Sequence, residues 1–215
     1  MKRIQCLTAA ALLLSVNQLA LAQVLAQAQG DLDGDGQNEI AIVTDTQRQS
    51  ANDMGNIRTL EIFKVKNGKR QLWHKSEQVI LPSNAGGMMG DPFESIEIKN
   101  GSLFVFQSGG SSWKWGFRDQ YRYQNGQFEL IGYQSNSGRV CDYWIDIDAN
   151  LQTGKIVYKK LPDDSGCEPA GERIKAIHET FTNKNVKLNF SNRRKQSVYV
   201  IAPKSKEEIH FFSAP

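Results

Sequence analysis

The sequence of 215 residues has few cysteines, few prolines and little net charge. It contains three Cys and six Pro, and 26 Lys and Arg stand against 23 Asp and Glu. Internal repeats, low-complexity blocks and long apolar runs beyond the N-terminal segment are also lacking. Collagen-like, coiled-coil and multi-span membrane proteins are therefore excluded, while 40% hydrophobic residues suffice for a packed core.

Residues 1–22 have the organisation of a secretory signal peptide. Two basic residues precede an apolar run from Leu7 to Val16, and small residues follow at 20–22. The apolar run is too short to span a membrane. We predict cleavage near Ala22, a periplasmic or secreted protein that does not span the membrane, and a mature domain over residues 23–215.

The charge of the mature chain is close to neutral. Cleavage would remove two basic residues, which leaves 24 Lys and Arg against 23 Asp and Glu, a net charge of 24 − 23 = +1. Such a balance disfavours a general attraction to nucleic acid. The predicted partner is another protein or a cell-envelope polysaccharide.

Two cysteines, Cys141 and Cys167, would remain after cleavage. In an oxidising compartment such an even pair typically forms a disulfide, so we predict one here. A redox or nucleophilic thiol is the alternative, and the lack of a C-x-x-C spacing disfavours it.

Short apolar segments that alternate with turns predict a mainly β or β-rich α+β fold. Three Asn-Gly pairs predict hairpin turns, namely Asn67-Gly68, Asn100-Gly101 and Asn125-Gly126. Only residues 172–182 have helical spacing, with Ile174, Ile177 and Phe181 three to four residues apart. We therefore predict antiparallel hairpins in a single domain, with one short helix near 172–182.

An acidic, glycine-rich segment between two predicted strands is the most specific signal in the chain. Carboxylates occupy alternate positions from Asp31 onward, and Gly36 stands where the loop has to tighten. Calcium takes about six to eight oxygen ligands, which alternating side chains of a curled loop can supply. The predicted ligands are the side chains of Asp31, Asp33, Asp35 and Glu39 and the main-chain carbonyl of Gln37.

The segment differs from an EF-hand in two respects. Ile42 stands where an EF-hand has a bidentate Glu, and a strand pattern follows instead of a helix. The run GDLDGDGQNEIAIV, residues 30–43, resembles the calcium-binding loop of FG-GAP/VCBS-type repeats. This resemblance implies a structural Ca2+ ion. Because the chain has one copy, a β-propeller is not expected.

Three further runs, residues 86–93, 109–115 and 121–132, resemble stretches of exported bacterial proteins that also begin with such a loop. No activity is implied by this resemblance. It adds to the expectation of an exported bacterial protein.

Aromatic and basic residues alternate in one predicted strand. The rings are at odd positions, namely Trp113, Trp115, Phe117, Tyr121 and Tyr123, and the cations are at even positions, namely Lys114, Arg118 and Arg122. The rings form either a platform for sugar or the core face of a sheet, and the second interpretation is favoured because no other segment is as aromatic. The run Arg193-Arg194-Lys195 predicts a solvated turn, with a patch for an acidic partner as the alternative.

Catalytic motifs are lacking. The three His residues stand apart, and neither H-E-x-x-H nor G-x-S-x-G occurs. We therefore predict no catalytic residue and favour an exported, calcium-binding, non-enzymatic interaction protein. The alternative is a cell-wall or polysaccharide hydrolase that uses Asp91 or the set Asp142, Asp146 and Asp148 beside the aromatic face.

Overall fold

The computed structural model describes residues 22–163, 165–166 and 174–212. The fold is mainly β, as predicted, and neighbouring strands pair antiparallel throughout. Within the described ranges, one 3-10 turn at Gly87–Met89 is the sole helical element, and no helix could cross a membrane. Residues 1–21 of the predicted signal peptide and Cys167 lie outside the described residues.

A four-stranded sheet contains the acidic segment. Its strands are β1 (Gln23–Gly30), β2 (Glu39–Gln49), β3 (Asn56–Lys66) and β4 (Lys69–Ser76), in the order β1-β2-β3-β4. The first seven residues of β2 are buried, because this strand lies between β1 and β3 and against the core. The acidic loop is the connection between β1 and β2.

A seven-stranded sheet forms the larger part of the structure. Its strands are β5 (Phe93–Lys99), β6 (Ser102–Gly110), β7 (Lys114–Gln124), β8 (Gln127–Gly138), β9 (Tyr143–Asn150), β10 (Lys155–Pro162) and β11 (Ile177–Thr182). Each strand pairs with the next in the chain. A final hairpin consists of β12 (Val198–Ile201) and β13 (Glu208–Phe212).

The three predicted Asn-Gly turns are confirmed. Asn67 and Gly68 have φ values of 52° and 72°, and the other two pairs are also left-handed at both residues. Positive φ at both central residues is typical of the type I′ turn, whose twist matches that of the flanking strands. The turns therefore fix the register of three hairpins.

The core lies between the sheets and includes side chains from both. Leu60 and Ile62 of β3 belong to the same buried cluster as Leu103 of β6. The sheets also approach each other at Gly30, where an added Cβ would lie 2.5 Å from Ile98 Cγ2. Glycine is therefore required at the end of β1, immediately before the acidic loop.

The helix predicted near 172–182 is wrong for the residues described. Ile177–Thr182 form strand β11, which pairs with β10 from Ile177 opposite Lys160 to Thr182 opposite Lys155. β-Branched and aromatic residues fit this pleated edge, and pairing satisfies the open edge of β10. Tertiary pairing thus outweighed the helical spacing.

Candidate functional site

The acidic loop is folded over the edge of the core. Leu32 is only 2% exposed, and its backbone N–H donates to Glu39 Oε2 at 2.8 Å. Gly34 and Gly36 have φ values of 80° and 82°, a conformation that favours glycine. The loop is thus held at one end by a buried leucine and is curled by two glycines.

Three predicted ligands converge inside this loop. One carboxylate oxygen from each of Asp31, Asp33 and Glu39 lies within 4.8 Å of the other two. Asp31 is oriented from within the loop, because it accepts hydrogen bonds from the backbone N–H groups of Gly34 at 2.7 Å and Gly36 at 3.0 Å. These three carboxylates form the acidic cluster.

Two predicted ligands lie beside the acidic cluster. The Asp35 side chain is 40% exposed, and its Oδ1 accepts from the Gln37 backbone N–H at 2.8 Å. Gln37 itself is exposed. The loop geometry therefore brings together three of the five residues that the sequence predicts as ligands.

The sequence analysis missed Lys64 of β3. Its ammonium group donates to Asp33, and its Nζ lies 3.5 Å from Asp35 Oδ2 and 3.9 Å from Glu39 Oε1. The hydrogen bond to Asp33 raises the pKa of Lys64, so the ammonium stays charged. Lys64 lies at a position of β3 that the alternation of buried residues directs toward the core. A lysine at an inward position of a strand was the sequence signal that could have identified it as a partner of the loop.

The charges of the loop do not balance. Three carboxylates, those of Asp33, Asp35 and Glu39, lie within 3.9 Å of one ammonium group, Asp31 adds a fourth carboxylate to the loop, and Glu39 is buried. Burial raises the pKa of Glu39, against the lowering effect of its hydrogen bond with Leu32. Since carboxylate oxygens are the donors that a hard divalent cation prefers, the acidic cluster fits calcium in chemistry and in surplus charge.

The prediction of a solvated turn is wrong for Arg193. This side chain is 1% exposed, and it binds Asp119 of β7 through Nε at 2.7 Å and through a terminal nitrogen at 3.0 Å. Tyr121 also donates its hydroxyl to Asp119, at 2.8 Å. Although burial lowers the pKa of Arg193, the charge of Asp119 raises it overall, so the core contains a charged pair.

Arg194 is also engaged within the fold. Its guanidinium donates to the backbone carbonyls of Glu77, Gln78 and Ile80 at 2.6–2.8 Å. Burial lowers the pKa of Arg194 to about 10. Of the three basic residues, only Lys195 is exposed, so neither a solvated turn nor a patch for an acidic partner describes this run.

The aromatic residues of β7 face the core side of the seven-stranded sheet. Tyr121 is fully buried, which confirms the structural interpretation at that position. On the opposite face, Arg118 stacks on Phe104 and Phe106 at 4.1 and 4.9 Å from the ring centres. The alternation in the sequence thus separates rings from cations as predicted.

The carboxylates proposed for hydrolysis do not form one site. Asp146 and Asp148 line a concavity of about 850 Å³ on the outer face of the seven-stranded sheet. Asp142 instead pairs with Arg139 at 2.7 Å, and Asp91 is held by Arg58 at 2.5 Å. The two arginine-bound residues are therefore engaged in ion pairs elsewhere.

Two comparisons with known proteins found no relative of the chain. No protein-family model matches the chain, and no curated protein matches it significantly. The resemblance of residues 30–43 to FG-GAP/VCBS-type loops stays a prediction. The assignment of function accordingly depends on the acidic cluster and on the residues that orient it.

Proposed function

We propose that this protein is exported and binds one calcium ion in the loop over residues 31–39, where the ion has a structural role. The observation that supports the proposal is the convergence of Asp31, Asp33 and Glu39 within 4.8 Å. Asp31, Asp33 and Glu39 would hold the ion, and Asp35 and Gln37 lie within the same loop for further oxygen ligands. The ion would supply the positive charge that Lys64 alone does not.

The position of the loop explains why a structural ion is useful. Glu39 begins the buried strand β2, and its carboxylate binds the N–H of Leu32, which is anchored in the core. An ion bound to Glu39 would therefore stiffen the hairpin and fix its attachment to the first sheet. Calcium sites of extracellular modules bind at about 0.1–1 mM, which suits an exported protein.

Export carries three linked proposals. Residues 1–22 would be removed as a signal peptide, Cys141 and Cys167 would form a disulfide, and the protein would act by binding and not by catalysis. N-terminal sequencing of the protein from the periplasm or medium tests cleavage near Ala22.

The kind of partner is tested in two binding experiments. Recovery of one stoichiometric protein in a pull-down favours a protein partner, and retention of the mature protein on peptidoglycan sacculi favours a polysaccharide.

Isothermal titration of residues 23–215 with calcium tests the ion. We expect one site in the wild type, a large loss of affinity in Asp33→Ala, and a smaller loss in Asp35→Ala because Asp35 is half exposed and outside the acidic cluster. Asp148→Asn is the matched control, since this exposed carboxylate lies on the other sheet. A silent titration of the wild type, or an unchanged affinity in Asp33→Ala, would contradict the proposal.

A further inference from the structure

Two serines interrupt the apolar inner face of the seven-stranded sheet. Ser135 of β8 lies between Phe117 and Ile147 on the neighbouring strands. Ser137 lies in the same way between Trp115 and Ile145. Small polar residues at core-facing positions break the pattern of a packed sheet, and such departures are typical of functional sites.

The serines form the floor of a cavity of about 440 Å³ between the sheet and β13. Its walls are mainly apolar and aromatic, and they include Leu81, Trp113, Tyr133, Tyr158 and Phe211. Gly109 allows the ring of Trp115 to lie in this wall, because an added Cβ would be 2.5 Å from Trp115 Cζ2. The space stays open because small serine side chains face the large side chains of the walls.

Charge is confined to one end of the cavity. Among the described residues that line it, Glu208 and His210 are the titratable groups other than tyrosine, and their side chains are 59% and 41% exposed at the mouth. Burial raises the pKa of Tyr133 and Tyr158, so both hydroxyls are neutral. The Ser137 hydroxyl belongs to the lining of the cavity as well. The interior thus offers rings and a hydroxyl without charge.

We propose that this cavity binds an uncharged, flat, ring-containing small molecule. Its volume is within the range of roughly 300–1,000 Å³ that small-molecule sites have. Rings on several sides favour stacking with a flat ligand, whereas a charged group inside the cavity, away from Glu208 and His210 at its mouth, would lose its hydration without an ionic partner. When an apolar cavity of this size is empty, the side chains of its walls lack the van der Waals contacts that a ligand would provide, and the fold is less stable for it.

This inference is independent of calcium binding. The cavity is built from the seven-stranded sheet and β13, whereas the acidic cluster belongs to the loop between β1 and β2. Loss of calcium binding in Asp33→Ala would therefore leave the cavity intact. The failure of one proposal is distinguishable from the failure of the other.

The test is a fluorescence titration of residues 23–215 with N-phenyl-1-naphthylamine, an uncharged probe with two aromatic ring systems. We expect one saturable site and quenching of tryptophan emission, because Trp113 and Trp115 line the cavity. The anionic 8-sulfonate of this probe should bind more weakly, by about tenfold or more. Absence of saturable binding would overturn the proposal, and equal affinity for the sulfonate would overturn its requirement for an uncharged ligand.

Ser137→Leu fills the floor of the cavity, and we expect it to weaken binding of the uncharged probe by about tenfold or more. Gln134→Leu is the matched control, since it makes a similar change on the exposed outer face of the same strand and should leave affinity unchanged. Ala85→Leu, at another lining position, replaces Ser137→Leu if that variant does not fold. Wild-type affinity in a folded cavity-filling variant would contradict the proposal.

Discussion

Two of the places where carboxylates meet a basic side chain, the Asp119–Arg193 pair in the core and the acidic loop with Lys64, differ in charge balance. In the core, one carboxylate, Asp119, is matched by one guanidinium, Arg193, and both are almost fully buried. In the loop, three carboxylates pair with one ammonium group, that of Lys64, Asp31 adds a fourth carboxylate, and most of these groups are partly exposed.

The comparison separates a structural ion pair from a candidate ion site. In a buried pair with equal and opposite charges, each group neutralises the other, so the pair needs no further ion. Removal of either partner leaves an uncompensated buried charge. A cluster with surplus negative charge gains from an added cation. Burial of charged groups alone therefore does not indicate an ion site, whereas excess negative charge with converging oxygens makes the loop a candidate for one.

The largest expected effect is the loss of the core carboxylate. Asp119→Ala leaves Arg193 buried without its counter-charge, which should lower the free energy of unfolding by about 3–5 kcal/mol in urea denaturation. Asp142→Ala removes a partly exposed partner of the exposed Arg139 and should cost about 1 kcal/mol or less. Equal losses in the two variants would show that the core pair is not special.

A smaller effect is expected from the loop lysine. Under the calcium proposal, Lys64→Gln removes a positive charge from the acidic cluster, so calcium affinity should rise several-fold, or roughly 1 kcal/mol, by isothermal titration. The same variant should be less stable than the wild type without calcium, since the carboxylates lose their counter-charge.

Lys75→Gln provides the control for the loop lysine. It removes an exposed pair with Glu61 on neighbouring strands and should change calcium affinity little. A fall in calcium affinity in Lys64→Gln would mean that the ammonium supports the site and does not compete with the ion.

The smallest effect concerns His74, a partly buried titratable side chain of β4 that packs against aromatic rings and has no ion pair among the described residues. Burial lowers its pKa below 6.5, and its Nε2 has no hydrogen-bond partner among the described residues. The unfolded chain therefore binds a proton at His74 more readily than the folded chain does. The contribution of neutral His74 to the stability of the fold is present above about pH 6.5 and is lost as the pH falls through the folded pKa.

Urea denaturation at pH 7.5 and pH 5 measures this dependence. The free energy of unfolding should fall more steeply with acidification in the wild type than in His74→Phe. His178→Asn changes an exposed histidine and should follow the wild type. Parallel curves for wild type and His74→Phe would exclude His74 as a source of acid sensitivity.

Local chemistry made most of the fold predictable. Asn-Gly pairs and alternating apolar residues identify the hairpins, because positive φ and a two-residue period are properties of short segments. The prediction of a helix near 172–182 was wrong because Ile177–Thr182 pair with the edge of β10 as a strand. The spacing of apolar residues within this segment does not reveal that such an edge is present.

The candidate site was predictable only within its own loop. Residues 31–39 contain the acidic cluster, but Lys64 meets Asp33 across 31 positions of sequence, and Arg193 meets Asp119 across 74. Such partners depend on how the sheets assemble. Ser135 and Ser137 carried a usable signal, since they are polar at inward positions of an alternating strand.

The late position of Arg193 and Arg194 in the chain determines when folding is complete. Asp119 and the carbonyls at 77–80 precede them by 74 to 117 residues, and contacts over such spans form slowly because the intervening chain loses entropy first. A nascent chain that ends before Arg193 has no counter-charge for Asp119, and the connection at 77–80 has no clamp. We therefore expect the native state to form after synthesis and not during it, and chains cut short before this point to be open to proteolysis.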